Sequence, residues 1–131
     1  MVDPSELPVL LVEDNIVNQK IAFFTLKKMG FPVDIAENGA EAVEKYQKSV
    51  YKLVLMDIQM PVMNGLDATI KIRQIENERQ MEHPAIIIAL SANVLSNDIQ
   101  HCFEVGMNEF ISKPFSSEKL LERIKIYFKL R

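Results

Sequence analysis

The chain has few of the features that mark secreted, membrane-spanning or nucleic-acid-binding proteins. Its 131 residues include one cysteine, Cys102, which cannot form an internal disulfide and therefore fits a reducing compartment. The sequence has no apolar run of the roughly 18 residues that a membrane-spanning helix needs, and its N-terminus lacks a signal-peptide core. The net charge of −3 argues against a nucleic acid or an anionic membrane as the main partner. We therefore expect a cytoplasmic protein, or the cytosolic portion of a larger one.

The composition is that of one ordinary globular domain. Hydrophobic residues make up 48% of the chain and charged residues 25%, which is typical of proteins that bury a core. The sequence contains no internal repeat and no low-complexity tract. Residues 1–6 are polar and include Pro4, so we predict a leader or linker stub there and a single domain over residues 7–131.

Short apolar runs alternate with helical patterns along the whole chain. Asn15 and Ser116 or Ser117 predict helix starts, and Gly30 and Gly106 predict helix ends. Several strand candidates are continuous apolar runs, which is typical of strands covered by helices on both faces. The pattern predicts a doubly wound α/β fold with a parallel sheet. Strands are predicted at residues 8–12, 32–36, 53–56, 85–90 and 109–112, each followed by a helix.

Polar side chains follow four of these strands. Glu13 and Asp14 follow the first strand, Asp57 the third, Ser91 the fourth and Lys113 the fifth. The carboxyl ends of parallel strands share one edge of the sheet, and ligands bind there at the point where the strand order reverses. If the order is 2-1-3-4-5, Asp57 is flanked by the acidic pair on one side and by Ser91 and Lys113 on the other.

This predicted cluster carries more negative than positive charge. Two carboxylates about 4 Å apart repel by roughly 4 kcal/mol at an effective dielectric near 20, so three converging acids require a cation. Oxygen ligands without histidine or cysteine favour Mg²⁺ over Ca²⁺ or Mn²⁺. The Ser91 hydroxyl and the Lys113 ammonium suit phosphoryl oxygens. Together these groups predict nucleophilic phosphoryl transfer onto Asp57, with catalysis by positioning and charge neutralisation.

Each of these features also has a purely structural explanation. Asp57 could begin a turn before Pro61. Glu13 and Asp14 could stabilise a helix N-terminus through its dipole. The dipeptide Lys113-Pro114 could be a turn. The functional interpretation rests on the convergence of these residue types at the ends of four different strands.

Four separated motifs resemble one known family. LVEDN, LVLMDIQMPVMNG, ALSAN and FISKPF, in this order and spacing, resemble the receiver domain of two-component response regulators over residues 7–130. The VEDN-x-x-NQ start and the SAN motif are most similar to receivers attached to hybrid sensor histidine kinases. The resemblance implies a flavodoxin-like (βα)5 fold with strand order 2-1-3-4-5 and a signalling domain rather than an enzyme. It implies a histidine kinase or a histidine phosphotransfer domain as partner. It leaves open whether the chain is a stand-alone receiver or a part of a membrane-bound hybrid kinase.

The resemblance also implies roles for the acidic residues. Asp57 matches the aspartate that is phosphorylated, and Asp14 matches the acid that binds Mg²⁺ directly. Glu13 matches the acid that acts through water, and the backbone carbonyl of Gln59 matches the remaining metal ligand. Mn²⁺ or Ca²⁺ is expected to substitute. The Lys113–Pro114 peptide bond is expected to be cis.

The same resemblance assigns a conformational switch. Ser91 matches the hydroxyl that turns toward the phosphoryl group, where the family more often has threonine, and Lys113 matches the lysine paired with that group. Phe110 occupies the switch aromatic position, where a tyrosine could also form a hydrogen bond. Gln59 and Asn93 match positions that tune dephosphorylation by governing access of water.

The last predicted helix has apolar residues on two sides. Ile126 and Leu130 point away from the predicted core residues Leu120, Ile124 and Phe128. Because the family often makes contacts through its fourth and fifth helices, we expect self-association on this side.

Three other functions compete with the receiver assignment. A phosphatase of the haloacid dehalogenase type also uses an aspartate nucleophile and Mg²⁺, but it places a second aspartate where this chain has Gln59. An interaction module that never carries phosphate would not need the acid, Ser91 and Lys113 set. A flavodoxin-like cofactor binder would need a phosphate-cradling loop after the first strand, and the sequence has none there.

Overall fold

Five strands and five α-helices alternate along the chain. The computed structural model describes residues 1–92 and 96–131, and the side chains of residues 96 and 97 are outside this description. A 3₁₀ turn, Pro4–Glu6, precedes the first strand. None of the helices in these ranges is long and apolar enough to cross a bilayer. The strands are β1 Val9–Val12, β2 Val33–Ala36, β3 Leu53–Asp57, β4 Ile86–Ser91 and β5 Glu109–Ser112, and the helices are α1 Ile16–Lys28, α2 Gly39–Lys48, α3 Gly65–Glu78, α4 Ser96–Glu104 and α5 Ser117–Tyr127.

The strands form one parallel sheet in the order β2-β1-β3-β4-β5, which confirms the predicted fold. Every residue of β1 and β3 is buried, as expected for strands covered on both faces. β1 begins at Val9 rather than at the predicted Pro8, because its pairing with β2 and β3 starts there. β3 and β4 each extend one residue beyond the predicted end, so that Asp57 and Ser91 are the last residues of their strands. The predicted start of the fourth helix near Val94 lies outside the described residues.

Each face of the sheet packs against its own set of helices. On one face, α1 and α5 contribute Ala22, Leu26, Leu120 and Ile124 to the core. On the other face, the buried side chains come from α2, α3 and α4 and are Ala42, Tyr46, Ala68, Ile72, Ile75 and Cys102. Successive residues of a strand alternate between these two layers. The alternation decides which helices each strand-end residue can influence.

The helix ends follow from the residues found there. Asn15, Asn38, Asn64 and Ser116 each accept a backbone hydrogen bond at a helix N-terminus. Gly30 and Gly106 have φ values of 96° and 109° just after α1 and α4. This left-handed geometry suits glycine and closes each helix with hydrogen bonds back to its last turn. The predicted helix signals are therefore used as capping residues.

Helix α1 turns an apolar face to solvent. Val17 and Phe24, which recur at helical spacing in the sequence, are 66% and 65% exposed, and Ile16 and Ile21 are exposed beside them. The buried face consists of Ala22, Thr25 and Leu26. Because α1 carries apolar residues all round, its spacing alone did not reveal which face meets the sheet.

The structure corrects the expectation for Leu130. Helix α5 ends at Tyr127, and the chain beyond it is extended. Leu130 forms a parallel bridge with Val2 and packs against the core between the sheet, α1 and α5. Since α5 has ended before it, Leu130 does not share the outer helix face with Ile126, which is 60% exposed.

Candidate functional site

The carboxyl edge of the sheet brings three acids together. Val12 and Met56 are register partners on β1 and β3, so Glu13 and Asp57, the next residue in each strand direction, lie side by side. Asp14 follows Glu13 at the start of the loop that leads into α1. Carboxylate oxygens of these three residues all lie within 4.8 Å of one another. Glu13 and Asp57 are buried, whereas Asp14 is exposed.

Lys113 reaches this cluster from the far side of β4. Its Nζ lies 3.2 Å from Asp57 Oδ2 and 2.9 Å from Glu13 Oε2, and it donates a hydrogen bond to Glu13 Oε1 at 3.0 Å. The Lys113 backbone N–H donates to the Ser91 carbonyl at 2.8 Å, which ties the end of β5 to the end of β4. The Lys113–Pro114 peptide bond is cis. One ammonium therefore faces two buried carboxylates.

Among the described residues, the negative charge of this cluster exceeds the positive charge beside it. Burial and the neighbouring charge of Glu13 raise the pKa of Asp57 to about 7, although Lys113 lowers it. Glu13 Oε2 is buried and accepts no well-aligned hydrogen bond, even though Lys113 Nζ is close. Three acids beside one lysine leave a surplus of negative charge. A bound cation would remove this surplus and favour the ionised form of Asp57.

The donor set fits Mg²⁺. The side-chain ligand atoms that Glu13, Asp14 and Asp57 offer are carboxylate oxygens, and Mg²⁺ prefers a few such oxygens together with water. Asp14 is exposed, so a hydrated ion can approach from solvent. The unsatisfied oxygen of Glu13 is a second feature that such a site would use, directly or through water.

The loop after Asp57 folds back onto the strand. Gly65 donates its backbone N–H to the Ile58 carbonyl at 2.9 Å. A Cβ atom at Gly65 would overlap the Asp57 carbonyl oxygen, so the close approach requires glycine. In the same loop Val62 has a φ of 68°, a conformation that β-branched residues rarely adopt. These constraints explain why Asp57 is followed by the compact stretch that ends in Asn64-Gly65.

The remaining predicted site residues lie around this cluster. Ser91 is buried one residue beyond Leu90, the register partner of Asp57. Phe110 pairs with Ala89 and packs partly buried in the layer of α2, α3 and α4. Gln59 is exposed, and its backbone N–H donates to Asp57 Oδ1 at 3.2 Å. Asn93 lies outside the described residues.

Two contacts with Glu13 were not predicted from the sequence. The Asn15 backbone N–H donates to Glu13 Oε1 at 3.3 Å, and Gln19 Nε2 donates to the Glu13 carbonyl at 3.0 Å. Gln19 belongs to the VEDN-x-x-NQ segment that marks the resemblance, so its spacing was the available signal. The spacing of six residues between Glu13 and Gln19 became meaningful only once α1 was seen to start at Ile16.

Known proteins are similar to this chain in sequence and in fold. The family model described as response regulator receiver domain matches residues 9–125. The chain is 46% identical over 125 residues to hybrid signal transduction histidine kinase B of Dictyostelium discoideum; the match covers 89% of this chain but 6% of that kinase.

Two solved structures are similar in both fold and sequence. The co-crystal structure of the histidine phosphotransfer protein Ypd1 with the receiver domain of Ssk1 from Saccharomyces cerevisiae matches at a TM-score of 0.86 and 33% identity, covering 91% of this chain and 86% of the matched chain. The receiver domain of the sensor histidine kinase PA1611 from Pseudomonas aeruginosa, with a magnesium ion in its active site cleft, matches at 0.81 and 37%, covering 92% and 96%. From the fold, the acidic cluster and these matches, the chain belongs to the response regulator receiver domain family.

Proposed function

We propose that this domain accepts a phosphoryl group from a phosphohistidine onto Asp57 and so acts as a switch in a two-component phosphorelay. The observation that carries the proposal is the buried Asp57 carboxylate beside Glu13, Asp14 and Lys113 at the edge of the sheet. The fold explains how residues far apart in sequence meet at one carboxylate. The proposal assigns the phosphoacceptor function to residues 7–131, as a signalling domain that acts on its own aspartate.

The transfer reaction needs an ionised nucleophile and a stable leaving group. An Asp57 oxygen attacks phosphorus as the bond from phosphorus to the donor imidazole nitrogen breaks. The bonding electron pair goes to that nitrogen, and the product is an aspartyl phosphate and a free histidine. Lys113, 3.2 Å from Asp57 Oδ2, is placed to neutralise the developing charge on the phosphoryl oxygens.

The acidic cluster supplies the rest of the charge balance through a metal ion. Asp14, Asp57 and the Gln59 backbone carbonyl would hold Mg²⁺ directly, and Glu13 would act through water. When bound, Mg²⁺ supplies neutralisation of the carboxylates and of the transferring phosphoryl oxygens. We expect Mn²⁺ or Ca²⁺ to substitute, since both take oxygen ligands.

The proposed switch acts through the layer of the fold that contains α4. Alternation along β4 and β5 assigns Ser91 and Phe110 to the layer that contains α4. A phosphoryl group on Asp57 would attract the Ser91 hydroxyl and leave a space that Phe110 can enter. The change in free energy between the two conformations cannot exceed the difference between the interaction free energies of the phosphoryl group with each of them. Water then removes the phosphoryl group slowly, and Gln59 and Asn93 set its access.

The exposed face of α1 is the proposed docking surface for the phosphohistidine partner. Ile16, Val17, Ile21 and Phe24 form this face, which starts beside Asp14 and runs along the helix. A domain that presents a histidine to Asp57 must cover the same edge of the molecule. The similar yeast receiver was crystallised with a histidine phosphotransfer protein, which supports a partner of that class. A histidine kinase of a larger hybrid protein is the other donor we propose.

Mass spectrometry after treatment with acetyl phosphate and Mg²⁺ tests the proposed chemistry. We expect one added phosphate that alkali removes and that Asp57→Asn does not acquire, because the amide cannot act as the nucleophile. Steady release of phosphate from small esters would instead favour the phosphatase alternative. No adduct from either acetyl phosphate or a phosphohistidine donor would favour an interaction module.

Substitution on α1 tests the docking surface. We expect Phe24→Ser to slow transfer from a phosphohistidine domain but not from acetyl phosphate, because only the protein donor needs the surface. Phe103→Ser is the matched control, since Phe103 is an exposed phenylalanine on α4. Equal effects of the two substitutions on transfer would contradict docking on α1.

We also propose a second contact, self-association of the domain through α4 and α5. Phe103 on α4 and Ile126 on α5 are 48% and 60% exposed. Sedimentation of the phosphorylated domain, with Ile126→Glu as the comparison, tests this contact. A phosphorylated wild type that stays monomeric at high concentration would remove it.

A further inference from the structure

The loop that carries the two neighbouring acids is tied to α1 by one side chain. Gln19 Nε2 donates a hydrogen bond to the Glu13 backbone carbonyl at 3.0 Å. β1 ends at Val12, so this carbonyl lies beyond the last register pair of the strand. Side chains of helical residues point back toward the helix N-terminus, which lets Gln19 reach the loop from the first turn of α1.

The peptide held in this way lies between two carboxylates of the acidic cluster. The carbonyl belongs to Glu13, and the same peptide plane carries the nitrogen of Asp14. Fixing the carbonyl therefore restrains the peptide plane from which the Asp14 side chain leaves the backbone. The Asn15 N–H, bound to Glu13 Oε1, restrains the Glu13 side chain from the other direction.

We propose that Gln19 is a positioning residue for the Mg²⁺ site, holding the Glu13–Asp14 peptide so that both carboxylates face one cation. This inference rests on the metal site of the proposed function. Mg²⁺ demands near-ideal octahedral geometry, so it is sensitive to small rotations of its ligands. Partners that orient ligands typically alter metal affinity by about 10- to 100-fold when removed. A neutral amide performs this task without adding a positive charge that would compete with the ion.

Calorimetric titration with MgCl₂ alone, without a phosphoryl donor, tests the inference. Gln19→Met keeps the length of the side chain and removes its donor, and we expect the dissociation constant for Mg²⁺ to rise by about 10- to 100-fold. Gln19→Asn keeps an amide that is too short to reach Glu13, and we expect the same loss. The second variant carries the test if the first does not fold.

Two controls separate positioning from a general loss of stability. Gln74→Met makes the same chemical change at an exposed position on α3. Ile72→Val trims a buried core residue on the other face of the sheet. We expect both controls to keep the wild-type affinity for Mg²⁺, even where thermal stability falls.

A kinetic readout distinguishes positioning from direct participation. With acetyl phosphate as donor, we expect Gln19→Met to need more Mg²⁺ for half-maximal phosphorylation, while its rate at saturating Mg²⁺ approaches that of the wild type. Wild-type affinity in the Gln19 variants would overturn the inference and leave the proposed function intact. Absence of Mg²⁺ binding by the wild type would overturn the metal site itself and the inference with it.

Discussion

Two polar clusters lie at opposite ends of the parallel strands, one at the carboxyl edge of the sheet and one at its amino edge, and they differ in charge balance. At the carboxyl edge, Lys113 is the cation that the described residues place against the Glu13 and Asp57 carboxylates, and the Asp14 carboxylate lies beside them. At the amino edge, Glu76 is buried, and both of its carboxylate oxygens accept hydrogen bonds from protein groups. Its oxygens accept from the Arg73 guanidinium at 2.7 Å, from the Ala85 N–H at 2.8 Å and from the Tyr46 hydroxyl.

The amino-edge network ties separate elements together. Arg73 on α3 also donates to the carbonyls of Ala85 and Gly106, and to Asn108 Oδ1. The same Asn108 oxygen accepts from the Ile87 N–H at the start of β4. Burial and the Glu76 carboxylate raise the pKa of the Tyr46 hydroxyl. Each charge here has its partners within the protein, so this cluster is structural, whereas the surplus charge at the other edge is what a ligand-binding site requires.

The largest expected effect comes from breaking the balanced cluster. Arg73→Met leaves the Glu76 carboxylate buried without its cation, and we expect a loss of about 3–5 kcal/mol of unfolding free energy. Urea unfolding measures it. We expect the affinity for Mg²⁺, measured at urea concentrations well below the unfolding midpoint, to stay unchanged, because the two clusters lie at opposite edges. A large loss of Mg²⁺ binding in this variant would show that the clusters are coupled.

A smaller effect of opposite sign is expected at the unbalanced cluster. The pKa of Asp57 is about 7 in the folded chain against an ordinary value of 3.8. Between these values the folded state holds a proton that the unfolded state has lost, so unfolding free energy falls as pH rises from about 4 to about 7. Asp57→Asn removes this dependence. Without metal we expect the variant to be more stable than the wild type at pH 8, by on the order of 1–3 kcal/mol.

Unfolding at several pH values, with and without Mg²⁺, checks this prediction. We expect the gap between Asp57→Asn and the wild type to shrink toward pH 5, where Asp57 retains its proton in the folded state. Added Mg²⁺ should stabilise the wild type at pH 8 more than the variant. Parallel pH profiles of the two proteins would contradict surplus negative charge at this edge.

The smallest effect concerns backbone strain at the two edges. Val62 beside the site and Gln80 after α3 both have positive φ, 68° and 52°. Gln80 ends a helix in the usual left-handed conformation, with hydrogen bonds back to α3. Val62 is β-branched and has no such helix end to stabilise it.

Relieving the strain at Val62 should stabilise the protein. We expect Val62→Asn to raise unfolding free energy by about 1 kcal/mol, because asparagine tolerates this conformation. Gln80→Gly is the matched change at the amino edge. Glycine relieves the left-handed conformation there but raises the entropy of the unfolded chain, so we expect a net gain of only a few tenths of a kcal/mol in unfolding free energy. Thermal unfolding of both variants measures the difference. A destabilised Val62→Asn would mean that its exposed side chain makes contacts that outweigh the strain.

Local patterns predicted the elements well but could not assign every face. Continuous apolar runs identified strands, and asparagine, serine and glycine marked helix ends, because these signals act within a few residues. The apolar residues of α1 surround the helix, so their spacing could not show that Val17 and Phe24 face solvent. Leu130 was placed on a helix that had already ended. The switch roles of Ser91 and Phe110 and the dephosphorylation roles of Gln59 and Asn93 stay predictions. The conformation of the phosphorylated domain and its rate of dephosphorylation will test them.

The sequence by itself determined which strands end in acids, a serine and a lysine, and that parallel strands would bring these ends to one edge. Chain direction and hydrophobic pattern are local properties, so they can be identified from the sequence without coordinates. Tertiary structure alone decided that Gln19 donates a hydrogen bond to the Glu13 carbonyl and that the Arg73 guanidinium pairs with the Glu76 carboxylate. These contacts depend on how the packed elements place two side chains relative to each other and on how deeply they are buried. No local sequence pattern encodes either property.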